Sequence, residues 1–278
     1  MLELKNISKT FNAGTVNEKV ALDNINLTLS DGDFVTVIGG NGAGKSTMLN
    51  AIAGVWQPDS GNIIIDGTDI TNMPDYKRAK FLGRVFQDPM MGTAANMLLE
   101  ENLSLANRRG KSRGLRWSIT SSERRKYREM LSELGLGLED RLSTRMGLFS
   151  GGQRQAVTLL MATMNSPKLL LLDEHTAALD PKLLLLDEHT AALDPKTAAK
   201  VLHITEQIIE QDQLTALMIT HNMKDAIAHG NRLIMMNAGR IIFDVSGEEK
   251  QKLTVEMLLE QFSKASGAEF ANDRALLG

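Results

Sequence analysis

The run Gly39-Gly40-Asn41-Gly42-Ala43-Gly44-Lys45-Ser46-Thr47 follows an apolar segment, Phe34–Ile38, and leads into a helix-favouring stretch. This spacing, G-x-x-x-x-G-K-[ST] between a strand and a helix, suits the binding of phosphate. Glycines lack a Cβ, so several backbone N–H groups converge on one anion, and the next helix adds its unpaired N–H groups and positive dipole end. Lys45 brings a mobile cation for the outer phosphates. Ser46 offers a hydroxyl oxygen of the kind Mg²⁺ accepts beside its waters.

A second chemical group lies further along the chain. Leu169–Leu172 ends in Asp173-Glu174, and the same residues recur as Leu183–Leu186 ending in Asp187-Glu188. A buried apolar strand that delivers two adjacent carboxylates can place an aspartate on a metal ion and a glutamate on an attacking water. The recurrence is wider than the strand: Pro167–Asp180 and Pro181–Asp194 are identical blocks. Two copies of so short a unit make no solenoid, so the repeat reads as a local duplication. Asp173 lies 23 residues after Ser150, the spacing of a helix followed directly by a strand, whereas Asp187 lies 34 residues before His221, a spacing normal for the family that these motifs resemble, so the two copies satisfy opposite constraints. The expectation favours the second copy, because it keeps the surplus residues away from the phosphate site. Ser166-Pro167 and Asp180-Pro181 each pair an N-cap residue with a first-turn proline, so the unused copy could start a short helix.

Single residues complete the set. Ser150-Gly151-Gly152-Gln153 opens a helix and, alone, is only a helix start. Gln87 in Val85-Phe86-Gln87 could be an ordinary polar strand end, His221 in Thr220-His221-Asn222 a capping or core histidine, and Phe11 a core aromatic.

Taken in order over nearly the whole chain, these motifs resemble the ABC ATPase family. The resemblance makes Gly39–Thr47 the Walker A loop, Ser150–Gln153 the signature sequence, and Asp173-Glu174 and Asp187-Glu188 two candidate Walker B pairs. It makes Gln87 the Q-loop glutamine, His221 the switch histidine, Phe11 the ring stacked on adenine, and Ala178–Asp180 or Ala192–Asp194 the D-loop. It further implies ATP and Mg²⁺ as cofactors, with Ser46, Gln87 and Asp173 or Asp187 around the metal and Glu174 or Glu188 as base. Two such chains would close head to tail, each offering its signature sequence to the other's nucleotide. Phe149 stands where leucine is more common, and His175 or His189 where proline is usual; neither departure removes a group that the family uses to touch phosphate.

The elements that must hold these groups are those of an α/β fold with a mainly parallel core sheet, an antiparallel β portion and an inserted helical subdomain. Short β-like runs at 35–38, 62–65, 84–86, 216–219, 232–236 and 240–244 alternate with helical stretches. The expected boundaries are a core of 1–88 and 151–246, a helical insertion at 89–150 and a helical tail at 247–278.

The 278 residues, 42% hydrophobic and 23% charged, describe a globular chain. A net charge of -3 and pI near 6.0 give no global basic footprint, so nucleic acid is not an expected partner. No cysteine is present, which excludes disulfides and thiolate metal sites. No run reaches the roughly 20 apolar residues of a membrane span, so any membrane role must come through a partner; the family resemblance implies a separate permease as that partner, with the chain on the cytoplasmic face of the membrane. The overall sequence, notably Gln87–Lys111, resembles ATPases of small-solute importers that work with a solute-binding protein, amino-acid importers among them. Non-transport members of the family, in DNA repair or translation, and exporters are the alternative; the long coiled coil of the repair type and the paired ATPase domains of the translation type are missing. A basic run from Arg108 to Arg128 is read either as a solvated face or as an edge towards permease and anionic lipid.

Overall fold

The computed structural model describes residues 1–111, 119–173 and 195–266. Two sheets organise them. β1 (Leu2–Phe11), β2 (Lys19–Leu29), β4 (Ser60–Ile65) and β5 (Thr68–Asp69) form an antiparallel sheet in the order β2-β1-β4-β5. β3 (Phe34–Gly39), β6 (Leu82–Val85), β7 (Leu169–Asp173), β8 (Thr215–Ile219), β9 (Arg232–Asn237) and β10 (Arg240–Ser246) form the larger sheet, in the order β10-β9-β3-β8-β7-β6. All its pairings are parallel except β9 with β10. A parallel strand covered on both faces has no room for polar alternation, and every residue of β3 is buried. The β-like run expected at Arg84–Phe86 is shifted: the strand ends at Val85, so Phe86 and Gln87 fall in the turn beyond it.

The larger sheet settles the register of the duplicated block. β7 is the first copy, paired with β6 through Leu82↔Leu169 and with β8 through Asp173↔Ile219. This corrects the expectation that the second copy fills the strand; Asp187 and Glu188, like Glu174, lie outside the described residues. The two strand sequences are identical, so the difference must come from their junctions. Asn165 Nδ2 donates to the Ala106 carbonyl at 2.8 Å, and the Ser166 amide donates to Thr163 at 2.8 Å. Those two residues precede only the first copy, and they deliver Leu169 directly to the Phe81 carbonyl at 3.1 Å.

Helices cover the sheets. α1 (Lys45–Ala53) follows β3, and the short α2 (Asp75–Arg78) carries an arginine with no exposed surface. Arg78 donates to the carbonyls of Ala51 and Ile52, at 2.7 and 2.9 Å, and also to Thr71 and Met73. It thereby satisfies the last turn of α1, whose carbonyls have no partners within the helix. Between β6 and β7 stand α3 (Leu99–Asn107), α4 (Ser121–Glu133) and α5 (Gly151–Thr163). Leu99, Leu103, Tyr127, Leu131, Met146 and Phe149 join α5 and the Leu170 and Leu172 face of β7 in one apolar cluster. The Phe149 ring is 3% exposed with the Arg141 guanidinium 4.4 Å from its centre, so the larger ring is accommodated.

Part of the basic run is consumed within this region. Arg124 makes a two-point pair with Glu100 at 2.7 and 2.9 Å, Arg108 pairs with Glu123 at 2.9 Å, and Arg109 donates to the Ala162 carbonyl at 2.8 Å. Lys111 reaches Asn165. Arg125, Lys126 and Arg128 are exposed, while Arg113 and Arg116 fall outside the described residues. These pairings favour the reading of the run as a structural and solvated face.

α6 (Pro195–Gln211), α7 (Met223–Ala228), α8 (Gly247–Gln251) and α9 (Val255–Ser266) complete the chain order. Leu253, Leu258 and Phe262 pack with Ile38, Leu233 and Met235. No helix among the described residues is long and apolar enough to cross a membrane.

Lys250 of α8 is 2% exposed and donates to the carbonyls of His229 and Gly230. Burial pulls its ammonium from 10.5 to about 8, against a smaller opposing pull from Glu206. Between those values the unfolded chain holds a proton that the folded chain has released, so this lysine makes stability rise with pH across that window. Lys250→Met should remove that rise, up to about 3 kcal/mol, in urea unfolding compared at the two ends of the window. An unchanged slope would show that the lysine is not perturbed by its burial.

Candidate functional site

At the carboxyl end of β3 a cavity of about 250 Å³ is lined by Phe11, Lys19, Ala21, the loop Asn41–Thr47 and His221. The loop geometry explains its glycines. Gly44 sits at φ +101°, and a Cβ there would lie 2.5 Å from the Ala21 carbonyl oxygen. Only glycine lets β2 close against the start of α1 in this way. No side chain caps α1, so its first-turn N–H groups and positive dipole end face the cavity side. Lys45 is 5% exposed, and its Nζ donates to the Gly39 and Gly40 carbonyls at 2.7 and 3.2 Å. A charge held on backbone oxygens of the loop itself is poised over the same space that the N–H groups enclose.

Thus Phe11, Asn41, Gly42, Ala43, Gly44, Lys45, Ser46, Thr47 and His221 come together, with Gly39 and Gly40 behind them as partners of Lys45. Asp173 does not line the cavity. It ends β7 two strands away from β3, and the Arg84 guanidinium stands 3.5 Å from its Oδ2. Arg84 also donates to Asn50 Oδ1 of α1 at 2.7 Å and lies 4.5 Å from the centre of the Phe86 ring. Burial lowers the Arg84 pKa and the Asp173 carboxylate opposes that shift. One arginine therefore ties α1, β6 and β7 together, a role that the sequence reading did not detect.

Gln87 is exposed in the turn after β6 and does not line the cavity either. Its neighbour Phe86 accepts a bond from Gln155 of α5 at 3.2 Å. The helix that begins at Ser150 is thus fastened to the root of the Gln87 turn. Ser150 caps α5 reciprocally with Gln153: Gln153 N donates to Ser150 Oγ at 3.3 Å, and Ser150 N to Gln153 Oε1 at 3.2 Å. Gly151 and Gly152 are buried behind this cap. Ser150–Gln153 are apart from the cavity of their own chain.

Lys19 is the other residue that sequence reasoning missed. It lines the cavity as the cross-strand partner of Phe11. Alternation in β2 is regular only over Ile25–Leu29, so the pattern did not single out Lys19. The oxygen donors present, the Ser46 hydroxyl at the start of α1 and the Asp173 carboxylate at a parallel strand end, suit a hard cation such as Mg²⁺.

Comparison with known proteins gives consistent relatives. The sequence pattern of the family described as "ABC transporter" matches residues 22–177, and one described as "P-loop domain" matches 128–272. The chain is 42% identical over 265 residues to the tyrosine transport ATP-binding protein of Clostridioides difficile, covering 95% of this chain and all of that one. It is 31% identical to the spermidine/putrescine import ATP-binding protein of Haemophilus influenzae, over 94% of this chain and 62% of that protein. Among solved structures it is similar to a dimeric ATP-binding cassette in a post-hydrolysis state with ADP and Pi, with a TM-score of 0.70 at 30% identity, covering 88% of this chain and 98% of that one. A cassette in its ADP conformation matches with a TM-score of 0.72 at 26% identity, over 94% and 98% of the two chains.

Proposed function

This chain belongs to the ABC transporter family of ATP-binding, ATP-hydrolysing subunits, and we propose that it drives a separate membrane permease that imports a small organic solute, with an amino acid as the class of cargo. The observation that carries the ATP reading is the cavity where Phe11, the loop N–H groups, Lys45 and His221 converge. The cargo class rests on the 42%-identical relative, whose name specifies tyrosine transport, with relatives at 31–32% identity divided between spermidine/putrescine and methionine import. No residue of this chain would select the solute, since selectivity belongs to the permease and to a solute-binding protein working with it. Without a spanning helix of its own among the described residues, the chain would reach the inner face of the membrane through that permease.

In this reading Phe11 receives the adenine face, the loop and α1 hold the phosphates, and His221 orients the γ-phosphate. Ser46, Gln87 and Asp173 would hold Mg²⁺, which neutralises phosphate charge when bound. Ser150–Gln153 would meet the nucleotide of a second copy, which explains their distance from their own cavity and agrees with the dimeric cassette. Loss of the γ-phosphate then removes the anion that both chains share. The bond from Gln155 to Phe86 supports a path from the Gln87 turn to the signature helix, so that phosphate occupancy moves the helical region and the permease it contacts.

The residue after Asp173 becomes the favoured base, because the first copy fills the strand. Glu174→Gln should cost roughly 10²–10⁴-fold in ATP turnover, and Glu188→Gln should leave turnover within about two-fold. A large loss confined to Glu188→Gln would return the role to the second copy. For the transport reading, affinity purification from detergent-solubilised membranes should recover a multi-span permease, cross-linked through the 87–107 segment. Recovery of ribosomes or DNA ends in its place would contradict it.

A further inference from the structure

Lys19 is an ammonium at the nucleotide cavity to which none of the recognised motifs assigns a task. It begins β2, directly across the strand pair from Phe11. Its Nζ reaches the loop: a Cβ added at Gly42 would lie 3.0 Å from it. Among the described residues it makes no ion pair and no side-chain hydrogen bond, whereas the neighbouring Lys9 is paired with Asp59 at 2.7 Å. A cation without an anionic partner, held beside converging backbone N–H groups, adds to the positive potential of the cavity.

The position relative to Phe11 narrows the ligand atom. Phe11 is fixed edge-on against Trp56, with ring centres 5.3 Å apart, and lines the cavity from the β1–β2 hairpin. If the base lies on that ring, a nucleotide runs from the hairpin towards Lys45, and the first phosphates that it brings past Gly42 are those nearest the ribose. We infer that Lys19 is a nucleotide-binding residue that contacts the α- and β-phosphate oxygens, contributing equally to ATP and ADP. The inference rests on the proposed nucleotide site but makes a separate demand. A contact made equally in the ground state and the transition state lowers KM without raising kcat.

The test is titration of the full chain with ADP and with a non-hydrolysable ATP analogue, at two salt concentrations, for wild type, Lys19→Met and Lys19→Arg. The methionine variant should weaken both ligands by about 3- to 10-fold, the range for a charged contact at a partly open site. Arginine should restore binding. The salt dependence of binding should become shallower in Lys19→Met, because a screened charge has been removed, and kcat should stay unchanged while KM rises. Loss of affinity for the ATP analogue alone would overturn the assignment to the inner phosphates. Equal affinities and equal salt slopes in wild type and Lys19→Met would overturn the inference while leaving the site intact. Failure of wild type to bind either nucleotide would defeat the proposed site itself, and this inference with it.

Discussion

The structure depends on one constraint: a turn of backbone N–H groups must be held open at the carboxyl end of a fully buried strand. β3 lies between parallel neighbours β8 and β9, so its exit is fixed by the sheet. The loop after β3 is clamped from outside by the Ala21 carbonyl against Gly44, and the far end of α1 is pinned by Arg78. An anion site made of main-chain dipoles works because the dipoles need not reorganise when charge arrives. Lys45 adds the mobile charge, already turned onto the loop carbonyls.

The remaining groups are arranged around that turn by the sheet order. Parallel strands place their carboxyl ends on one side, so Asp173 of β7 and His221 after β8 fall on the same edge as the loop. Arg84 braces this edge by holding Asp173 and Asn50 at once. The helical region then attaches at the Gln87 turn through Gln155, on the opposite strand edge from β10. Ser150, exposed at the start of α5, is thereby held apart from the cavity of its own chain.

Chemistry carried by contiguous residues was legible from the sequence. Gly39–Thr47 needed only their spacing and a flanking strand, and the structure brings Asn41–Thr47 to one cavity with Phe11 and His221, with Gly39 and Gly40 behind as partners of Lys45. Features that depend on register were not legible. The duplicated strands are identical, so the choice rested on Asn165 and Ser166, whose bonds to Ala106 and Thr163 exist only in three dimensions. Arg84 and Lys19 escaped notice because an isolated basic residue on a strand carries no motif; the partners of Arg84 come from a neighbouring strand and a distant helix, and Lys19 meets the cavity only through its pairing with Phe11. The basic run left two readings open, because the carboxylate that pairs with Arg124, Glu100, lies far from it in sequence.

The central claim is that the cradle and its lysine hold a triphosphate, and Lys45 measures it most directly. Calorimetric titration of the intact chain with Mg-ATP, comparing wild type with Lys45→Ala, should show at least about a 10-fold loss of affinity together with loss of turnover, because charge-assisted contacts to phosphate vanish with the ammonium. Equal binding and equal turnover in the two proteins would contradict the account.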